Sequence, residues 1–294
     1  MEKIKIIRYF LLFILLFHSI TCYSLMLNWA GCGITKKAFM AELAAAYEKK
    51  TNVKINLEGG GATKGIRKVI DRDVDMGGSC RFRIPEDNAS HGVIHFNPVA
   101  WDALTVVAHK SNPVKSVTLD QLRDIYTGKI TNWSQLGGQN QPMELLIRDG
   151  RISGVGHTIR QVLFGDVNIE FKGSKSYKSS TPLEEAVENN ANAIAMTGIS
   201  SARKRDFNIL QLEGKVPSYE NIKRGKYLLY RPLYIVTNSK NENYKEVKKF
   251  LKFAHSIEGK EIMRKNGVVP YLEAVWLANK LRKQWESSRK LGAR

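Results

Sequence analysis

The order of apolar and polar residues predicts alternating strands and helices along most of the chain. Lys36–Lys49 carries apolar residues at close to helical spacing, and Val53–Leu57 alternates as a half-buried strand does. Trp101–Ala108 and Ala193–Met196 are apolar runs with the length of buried strands. Strands that alternate with helices in this way indicate an α/β protein.

The same alternation continues toward the C-terminus. We expect a helix after Thr118, because its hydroxyl can accept a hydrogen bond from a free N–H group of the first turn. Leu145–Arg148 and Tyr227–Thr237 are predicted strands. Further helices are predicted in His157–Phe164, Tyr244–Ala254, Gly259–Asn266 and the strongly basic Ala274–Arg294.

The first residues have the pattern of an export signal. Basic residues up to Arg8 precede an apolar run, Tyr9–Phe17, which is shorter than the roughly 20 residues of a membrane-spanning helix. Small and polar residues then lead to Ser24, where cleavage is plausible. We therefore predict a signal peptide in residues 1–24 and a periplasmic or other extracytoplasmic location. A retained membrane anchor and a lipid anchor at Cys22 are the alternatives.

Composition and charge narrow the classes of function. With 43% hydrophobic residues, the chain can bury an ordinary core, and its 294 residues suffice for two lobes after the export signal. The formal charge of +18 indicates an affinity for anions without choosing among them. No aromatic-interleaved basic motif, helix-turn-helix signature or zinc spacing appears, so we expect no nucleic-acid partner, metal or cofactor.

Three loops of small residues lead into predicted helices and are candidate anion sites. They are Gly31–Thr35, Gly59–Gly65 and Ser153–His157. A helix N-terminus presents unpaired N–H groups and the positive end of the helix dipole, which together attract an oxyanion. Arg148 comes just before the third loop and Arg81 lies in a further loop. Arginine suits such a site because its planar guanidinium matches paired oxygens.

Several segments resemble one family of binding proteins. Val106–Pro113 and Ile125–Gly138 are similar to the phosphate-binding proteins of phosphate ABC importers, a branch of the periplasmic binding proteins. The resemblance runs from about Thr35 to Pro270. Other segments that carry it are Gly59–Ile66, Val74–Ser79, Tyr219–Lys226, Arg231–Tyr234, Ser256–Ile262 and Gly267–Pro270.

The resemblance implies a two-lobed type II periplasmic-binding-protein fold. Each lobe would be a mixed sheet flanked by helices, with two hinge strands near Trp101–Val107 and Arg231–Val236. Residues 25–100 and 236–294 would form lobe I, and residues 101–235 lobe II. The implied function is capture of phosphate, or a related tetrahedral oxyanion, between the lobes for the membrane subunits of an ABC importer.

The resemblance also implies a ligand-binding set, and this chain departs from the family inside it. Ala62 stands where the family usually has serine. Cys80 stands where strict phosphate binders have a carboxylate, which accepts the proton of phosphate and repels fully ionised sulfate. His157 or Asp149 could supply that discrimination instead, so sulfate, arsenate and phosphate esters stay alternatives. The implied residues are Thr35, Thr63, Ser79, Arg81, Arg148, Ser153, Gly154, Gly156 and His157.

Other interpretations remain open at this point. A protein of the same fold with a weakened anion site could act in sensing or as a scaffold, and its basic C-terminal helix could contact an acidic membrane. Cys32 and Cys80 could form a disulfide at the cleft, or they could be two free, buried thiols. Catalysis is not expected, because Ser153 and His157 lack a third orienting carboxylate and the Gly-X-Ser-X-Gly motif is absent.

Overall fold

The computed structural model describes residues 25–88 and 92–292. The predicted export signal in residues 1–24, including Cys22, lies outside this part of the chain. No helix in the described ranges is long and apolar enough to cross a membrane. The strands are β1 (Met26–Gly31), β2 (Lys54–Glu58), β3 (Met76–Ser79), β4 (Ile94–His109), β5 (Ser116–Val117), β6 (Glu144–Arg148), β7 (Lys175–Tyr177), β8 (Ala193–Gly198), β9 (Phe207–Leu212), β10 (Tyr230–Asn238) and β11 (Val269–Pro270).

The helices alternate with these strands, as the apolar pattern predicts. They are α1 (Gly33–Thr35), α2 (Ala41–Thr51), α3 (Ala62–Asp71), α4 (Leu119–Tyr126), α5 (Gly154–Ile159), α6 (Ser180–Glu188), α7 (Ile199–Ala202), α8 (Tyr219–Lys223), α9 (Tyr244–Ala254), α10 (Ile257–Lys265) and α11 (Leu277–Gly292).

The first lobe is built on β1, β2 and β3, which are parallel with β1 in the middle. β1 leads through α1 and a π-helical segment (Lys36–Met40) directly into α2, so these three form one continuous helix. α3 connects β2 to β3. Because parallel strands point their carboxyl ends to one edge, the loops after β1, β2 and β3 come together there.

The second lobe repeats this arrangement with β8, β6 and β7, which are also parallel. α5 follows β6 and continues into a second π-helical segment (Arg160–Phe164). β9 and the second half of β4 add antiparallel pairings. The loop after β6 therefore lies at the carboxyl edge of the second sheet, as the loops after β1 and β2 do in the first.

Two strands join the lobes. β4 pairs with β10 through its first half and with β8 and β9 through its second half, so this one strand belongs to both lobes. Its residues from Val99 to Ala108 are buried, as expected of a strand covered on both faces. The sheet order is β2-β1-β3-β10-β4-β8-β6-β7. The predicted hinge crossings at Trp101–Val107 and Arg231–Val236 thus fall within β4 and β10.

Among the C-terminal helices, α9 packs against the first lobe and α11 contacts both lobes. Tyr47 of α2 packs against Phe250 of α9, with ring centroids 5.2 Å apart. α11, which we expected in lobe I, contacts both lobes: the Trp285 ring lies 4.3 Å from that of Phe82, and Ser288 Oγ donates to the carbonyl of Val162 at 3.3 Å. The last helix therefore lies across the two lobes.

The helix-capping role predicted for Thr118 is also found in the structure. Thr118 Oγ1 accepts a hydrogen bond from the Gln121 amide at 3.1 Å, and Gln121 Oε1 accepts one from the Thr118 amide at 2.9 Å. This reciprocal pair is a capping box, and it confirms the predicted start of the helix after Thr118.

Candidate functional site

Loops from both lobes meet at one place between the sheets. The Gly61 amide donates to the carbonyl of Gly31 at 3.2 Å, which joins the loops after β1 and β2. From the other lobe, Gly154 at the start of α5 approaches so closely that a Cβ built on it would lie 2.5 Å from Cys80 Sγ and 3.2 Å from the Ala62 side chain. The three predicted anion loops and the loop after β3 therefore surround a common point.

Hydrogen bonds across the cleft hold the two lobes together at this point. Thr63 Oγ1 donates to the carbonyl of Ile152 at 2.8 Å, and Thr158 Oγ1 donates to the carbonyl of Cys80 at 3.1 Å. Lys37 also forms an ion pair of 3.0 Å with Glu184 of the opposite lobe. The structure is thus a closed form, in which Thr63 serves as a contact between the lobes.

Arg148 lies at the end of β6 with its charge directed toward the loops of the first lobe. Its Nη1 donates to Ser180 Oγ at 2.9 Å, and its Nε and Nη2 donate to main-chain carbonyls of Tyr177 and Lys178 at 3.1 and 2.7 Å. All three acceptors are neutral. Burial lowers the pKa of Arg148, and the nearby thiols of Cys80 and Cys32 counteract this shift. A buried cation without a carboxylate partner favours an anion beside it.

Arg231 of β10 is a second buried cation at the same place, and we had assigned it only to the hinge. It is 0% exposed, and its Nη1 donates to the carbonyl of Cys80 at 2.9 Å. Its Nε and Nη2 have no hydrogen-bond partner in residues 25–88 and 92–292. The one nearby carboxylate is that of Asp102, 3.5 Å from Nη2. Among the described residues, the N–H groups on these two nitrogens of a buried guanidinium are therefore not used in hydrogen bonds, although Nη2 also forms the ion pair with Asp102.

Ser153 also carries a polar group that makes no hydrogen bond in the described residues. Its hydroxyl is buried and, within the part of the chain that the structure describes, makes no hydrogen bond. A Cβ built on Gly156 would lie 2.5 Å from this hydroxyl and 3.5 Å from Cβ of Arg148, so both glycines of the Ser153-to-His157 loop are required for close packing. Buried polar groups are nearly always hydrogen-bonded, and an unpaired one indicates a missing partner.

Two buried cysteines, Cys32 and Cys80, belong to the loops after β1 and β3. Cys32 caps the continuous helix that begins with α1: its Sγ accepts a hydrogen bond from the Thr35 amide at 3.4 Å and lies 3.3 Å from Thr35 Oγ1. Cys80, in the loop after β3, lies near Cys32, and both side chains are buried as free cysteines rather than as a disulfide. Burial would raise the pKa of Cys32, but hydrogen bonds from Cys80 and Thr35 and the charge of Arg231 lower it to about 6.

Two of the predicted ligand residues are engaged elsewhere. Arg81 is buried and forms a two-pronged ion pair with Asp87, at 2.6 and 2.9 Å, while its Nε donates to the carbonyl of Ile152 at 3.1 Å. We expected this guanidinium to face the anion; instead it holds the loop that precedes Ser153. Ser79 donates to the carbonyl of Arg81 at 2.8 Å and so shapes the same loop.

His157 also points away from the common point. It lines a separate depression of about 360 Å³ with Arg83, Arg151 and Asn168. Burial, together with the charge of Arg81, lowers the pKa of His157, so the imidazole is neutral near pH 7. The structure therefore does not place this histidine where it could accept a proton from an anion held by Arg148.

A pocket of about 230 Å³ opens from the common point to the solvent. Gly61, Thr63, Arg148, Asp149 and Ser153 contribute to it, and its outer wall carries Lys64, Arg67 and Lys178. Such a concentration of positive charge in a cleft raises the local concentration of anions. The pocket is thus a suitable route for an oxyanion to Arg148, which lines it.

Two lobes joined by hinge strands, with an anion-suited cleft between them, define a hinged solute-binding protein. The comparisons with known proteins give the same class and the family. The model of the PBP superfamily domain matches residues 32–258, and the chain belongs to this family.

Relatives share this architecture over most of their length. The chain is 26% identical over 247 residues to the phosphate-binding protein PstS of Borreliella burgdorferi, covering 81% of this chain and 87% of the relative. It is 23% identical to the phosphate-binding protein PstS of Bacillus subtilis, covering 83% and 80%. A phosphate ABC transporter substrate-binding protein of Clostridium perfringens, solved with bound phosphate, superposes with a TM-score of 0.74 at 27% identity, covering 83% of this chain and 99% of that one.

Proposed function

We propose that this protein is a solute-binding protein that captures phosphate in the cleft between its lobes and delivers it to the membrane subunits of an ABC importer. The observation that carries the proposal is the pair of buried arginines, Arg148 and Arg231, aimed at loops of small residues. In the part of the chain that the structure describes, Nε and Nη2 of Arg231 and the hydroxyl of Ser153 are further buried donors without a hydrogen-bond partner. Phosphate matches this excess of donors and positive charge, and the relatives named above are phosphate-binding proteins.

The ligand set follows from these positions. Arg148, Arg231 and Ser153 would donate from their side chains, and main-chain N–H groups at the starts of α1, α3 and α5 would complete the cage. Thr35, Thr63, Gly154 and Gly156 would shape the cage, while Arg81 and His157 would lie outside it. The proposal includes no catalytic step, because within residues 25–88 and 92–292 no nucleophile with an oriented base faces the site.

The proposal extends to how the protein is organised and where it works. Residues 25–100 and 236–294 would move as lobe I against residues 101–235, with α11 contacting both. Export by residues 1–24 would place the protein outside the cytoplasm. The exposed basic side chains of α11, Arg282, Lys283 and Arg289, would allow peripheral contact with an acidic membrane near the importer.

Calorimetric titration tests the proposal. The protein would be unfolded, freed of carried-over ligand and refolded, and phosphate would be titrated into it with and without sulfate as competitor. We expect micromolar or tighter phosphate binding that is lost in Arg148→Met. Absence of heat with either anion would reject phosphate capture and leave a sensing or scaffold role for the same fold.

A further inference from the structure

Two lysines cross from one lobe to the other at a distance from the proposed anion pocket. Lys37 follows α1 in the first lobe, and its Nζ forms an ion pair of 3.0 Å with Glu184 of α6 in the second. Lys204 follows α7 in the second lobe, and its Nζ donates to the carbonyl of Lys37 at 2.8 Å. Neither lysine lines the pocket that contains Arg148. The two contacts therefore join the lobes outside that pocket.

Glu184 has enough partners in its own lobe to remain paired without Lys37. Its carboxylate is fully buried and accepts hydrogen bonds of 2.6 to 3.0 Å from Thr197 Oγ1, Ser201 Oγ and Arg205 Nε. Breaking a buried ion pair is costly when it leaves a charge without a partner. Here the charge of Arg205 stays beside Glu184 when the lobes separate, and Lys37, whose side chain is 28% exposed, returns to water. The contact can therefore open and close reversibly.

The contact made by Lys204 has the same character. Its Nζ donates to the carbonyl of Lys37 and to Asn266 Oδ1, at 2.8 and 2.7 Å, and lies 3.6 Å from Glu42 Oε1. All three partners belong to the first lobe. The Lys204 side chain is partly exposed, so water can replace these partners when the lobes separate. Each lobe thus contributes one lysine to acceptors on the other lobe.

One face of α6 connects these contacts to the anion site. Ser180 and Glu184 are four positions apart in α6 and so lie on the same face of the helix. Ser180 Oγ accepts a hydrogen bond from Arg148 Nη1 at 2.9 Å, and Glu184 accepts one from Lys37 at 3.0 Å. When Lys37 fixes α6 against the first lobe, it therefore also fixes a group that holds Arg148.

We propose that Lys37 and Lys204 are positioning residues that stabilise the closed arrangement of the two lobes, with or without a bound anion. A contact made only in the closed form shifts the equilibrium toward that form, and a ligand that binds the closed form then binds more tightly. Because the two lysines contact the opposite lobe and not the pocket, this gain is the same for every anion that fits the cleft. They therefore raise affinity without setting which anion is bound.

Matched variants of the full chain test the inference through affinity. We expect Lys37→Met to weaken phosphate and arsenate binding by the same factor, about tenfold, the value of one hydrogen bond to a charged group. The loss should appear as faster dissociation in stopped-flow fluorescence, because the contact stabilises the closed form. Lys36→Met is the control, since it removes the same charge one position away and Lys36 Nζ donates to the carbonyl of Leu57 in its own lobe. Equal affinities in Lys37→Met and Lys36→Met, or a loss for one anion alone, would overturn the inference.

A second measurement needs no ligand. Small-angle X-ray scattering of the ligand-free protein would give the radius of gyration of the wild type, of Lys37→Met/Lys204→Met and of the control Lys36→Met/Lys110→Met. Lys110 pairs with Asp206 inside the second lobe, at 2.6 Å, so the control loses the same charge while the contacts between the lobes remain. We expect a larger radius, with the circular dichroism of the wild type, only in Lys37→Met/Lys204→Met. An equal radius in the two double variants would overturn the inference.

Failure of the inference can be told apart from failure of the proposed function. The affinity measurement rests on the proposed function, whereas the scattering measurement does not. If the wild type binds neither phosphate nor arsenate, the proposed function is wrong and the radii alone decide the inference. If the wild type binds phosphate and Lys37→Met binds it equally well, phosphate capture stands and the role of the two lysines is wrong.

Discussion

Replacing Arg231 separates its contribution to folding from its contribution to binding. The side chain is fully buried and lies 3.5 Å from the fully buried carboxylate of Asp102. Arg231→Met keeps much of the apolar volume but leaves Asp102 as an unpaired buried charge. Breaking a buried pair in this way costs about 3–5 kcal/mol, so we expect the free energy of unfolding in urea to fall by that amount.

The fall in the free energy of unfolding of Arg231→Met should depend on pH in a defined direction. Burial already raises the pKa of Asp102, with Arg231 opposing the shift, so removing Arg231 raises this pKa further. A carboxyl group whose pKa is raised on folding stabilises the folded state when protonated, and it loses this contribution as pH rises through the folded pKa. The stability difference between wild type and Arg231→Met should therefore narrow in acid and widen toward neutral pH.

The double variant Arg231→Met/Asp102→Leu is the matched control. Replacing both members of a buried pair by apolar residues is often neutral or stabilising, so most of the lost unfolding free energy should return. Phosphate affinity should not return, because the unpaired N–H groups of Arg231 are gone; we expect it to stay at least tenfold below wild type. Wild-type phosphate affinity in a stable double variant would refute the placement of Arg231 in the ligand cage.

Three further substitutions test other parts of the site and the fold. Arg148→Met should weaken phosphate binding at least 100-fold in calorimetry, since it removes a buried cation that donates through two or more N–H groups; binding within tenfold of wild type would place the anion elsewhere. Gly154→Ala should weaken phosphate binding about tenfold or more, because its Cβ would lie 2.5 Å from Cys80 Sγ in the closed form. Gly59→Ala is its control and should bind normally, since nothing lies within 4 Å of that Cβ. Trp285→Ala should lower the free energy of unfolding in urea by about 2 kcal/mol, because a half-buried tryptophan is lost from the contact of α11 with both lobes; no change would mean that α11 does not brace the closed form.

Local patterns in the sequence were sufficient to predict most of the helices and strands. The helix predicted in Tyr244–Ala254 has those bounds in the structure, and the capping role of Thr118 is confirmed by its contacts. Both depend on residues only a few positions apart. The two hinge strands came from the family resemblance rather than from periodicity, because β4 is a single apolar strand that passes from one lobe to the other.

The site was harder to predict because its chemistry depends on which side chains the fold pairs with one another. Arg81 looked available, yet Asp87, only six positions along, occupies its guanidinium. Arg231 was read as part of the hinge, although an arginine inside an apolar strand was a signal that it needs a buried partner. The sequence leaves open whether Cys32 and Cys80 form a disulfide or stay two free thiols, and they are two free thiols in the structure. The sequence could not decide this because it does not give the geometry of their side chains.

The position of the bound anion tests the central claim most directly. A crystal structure of the protein with arsenate would locate the ligand unambiguously, because arsenic gives an anomalous signal that lighter atoms do not. We predict one arsenate between the lobes, within hydrogen-bond distance of Arg148, Arg231 and Ser153. An arsenate bound only at the outer lysines of the pocket, or only beside His157, would contradict the account.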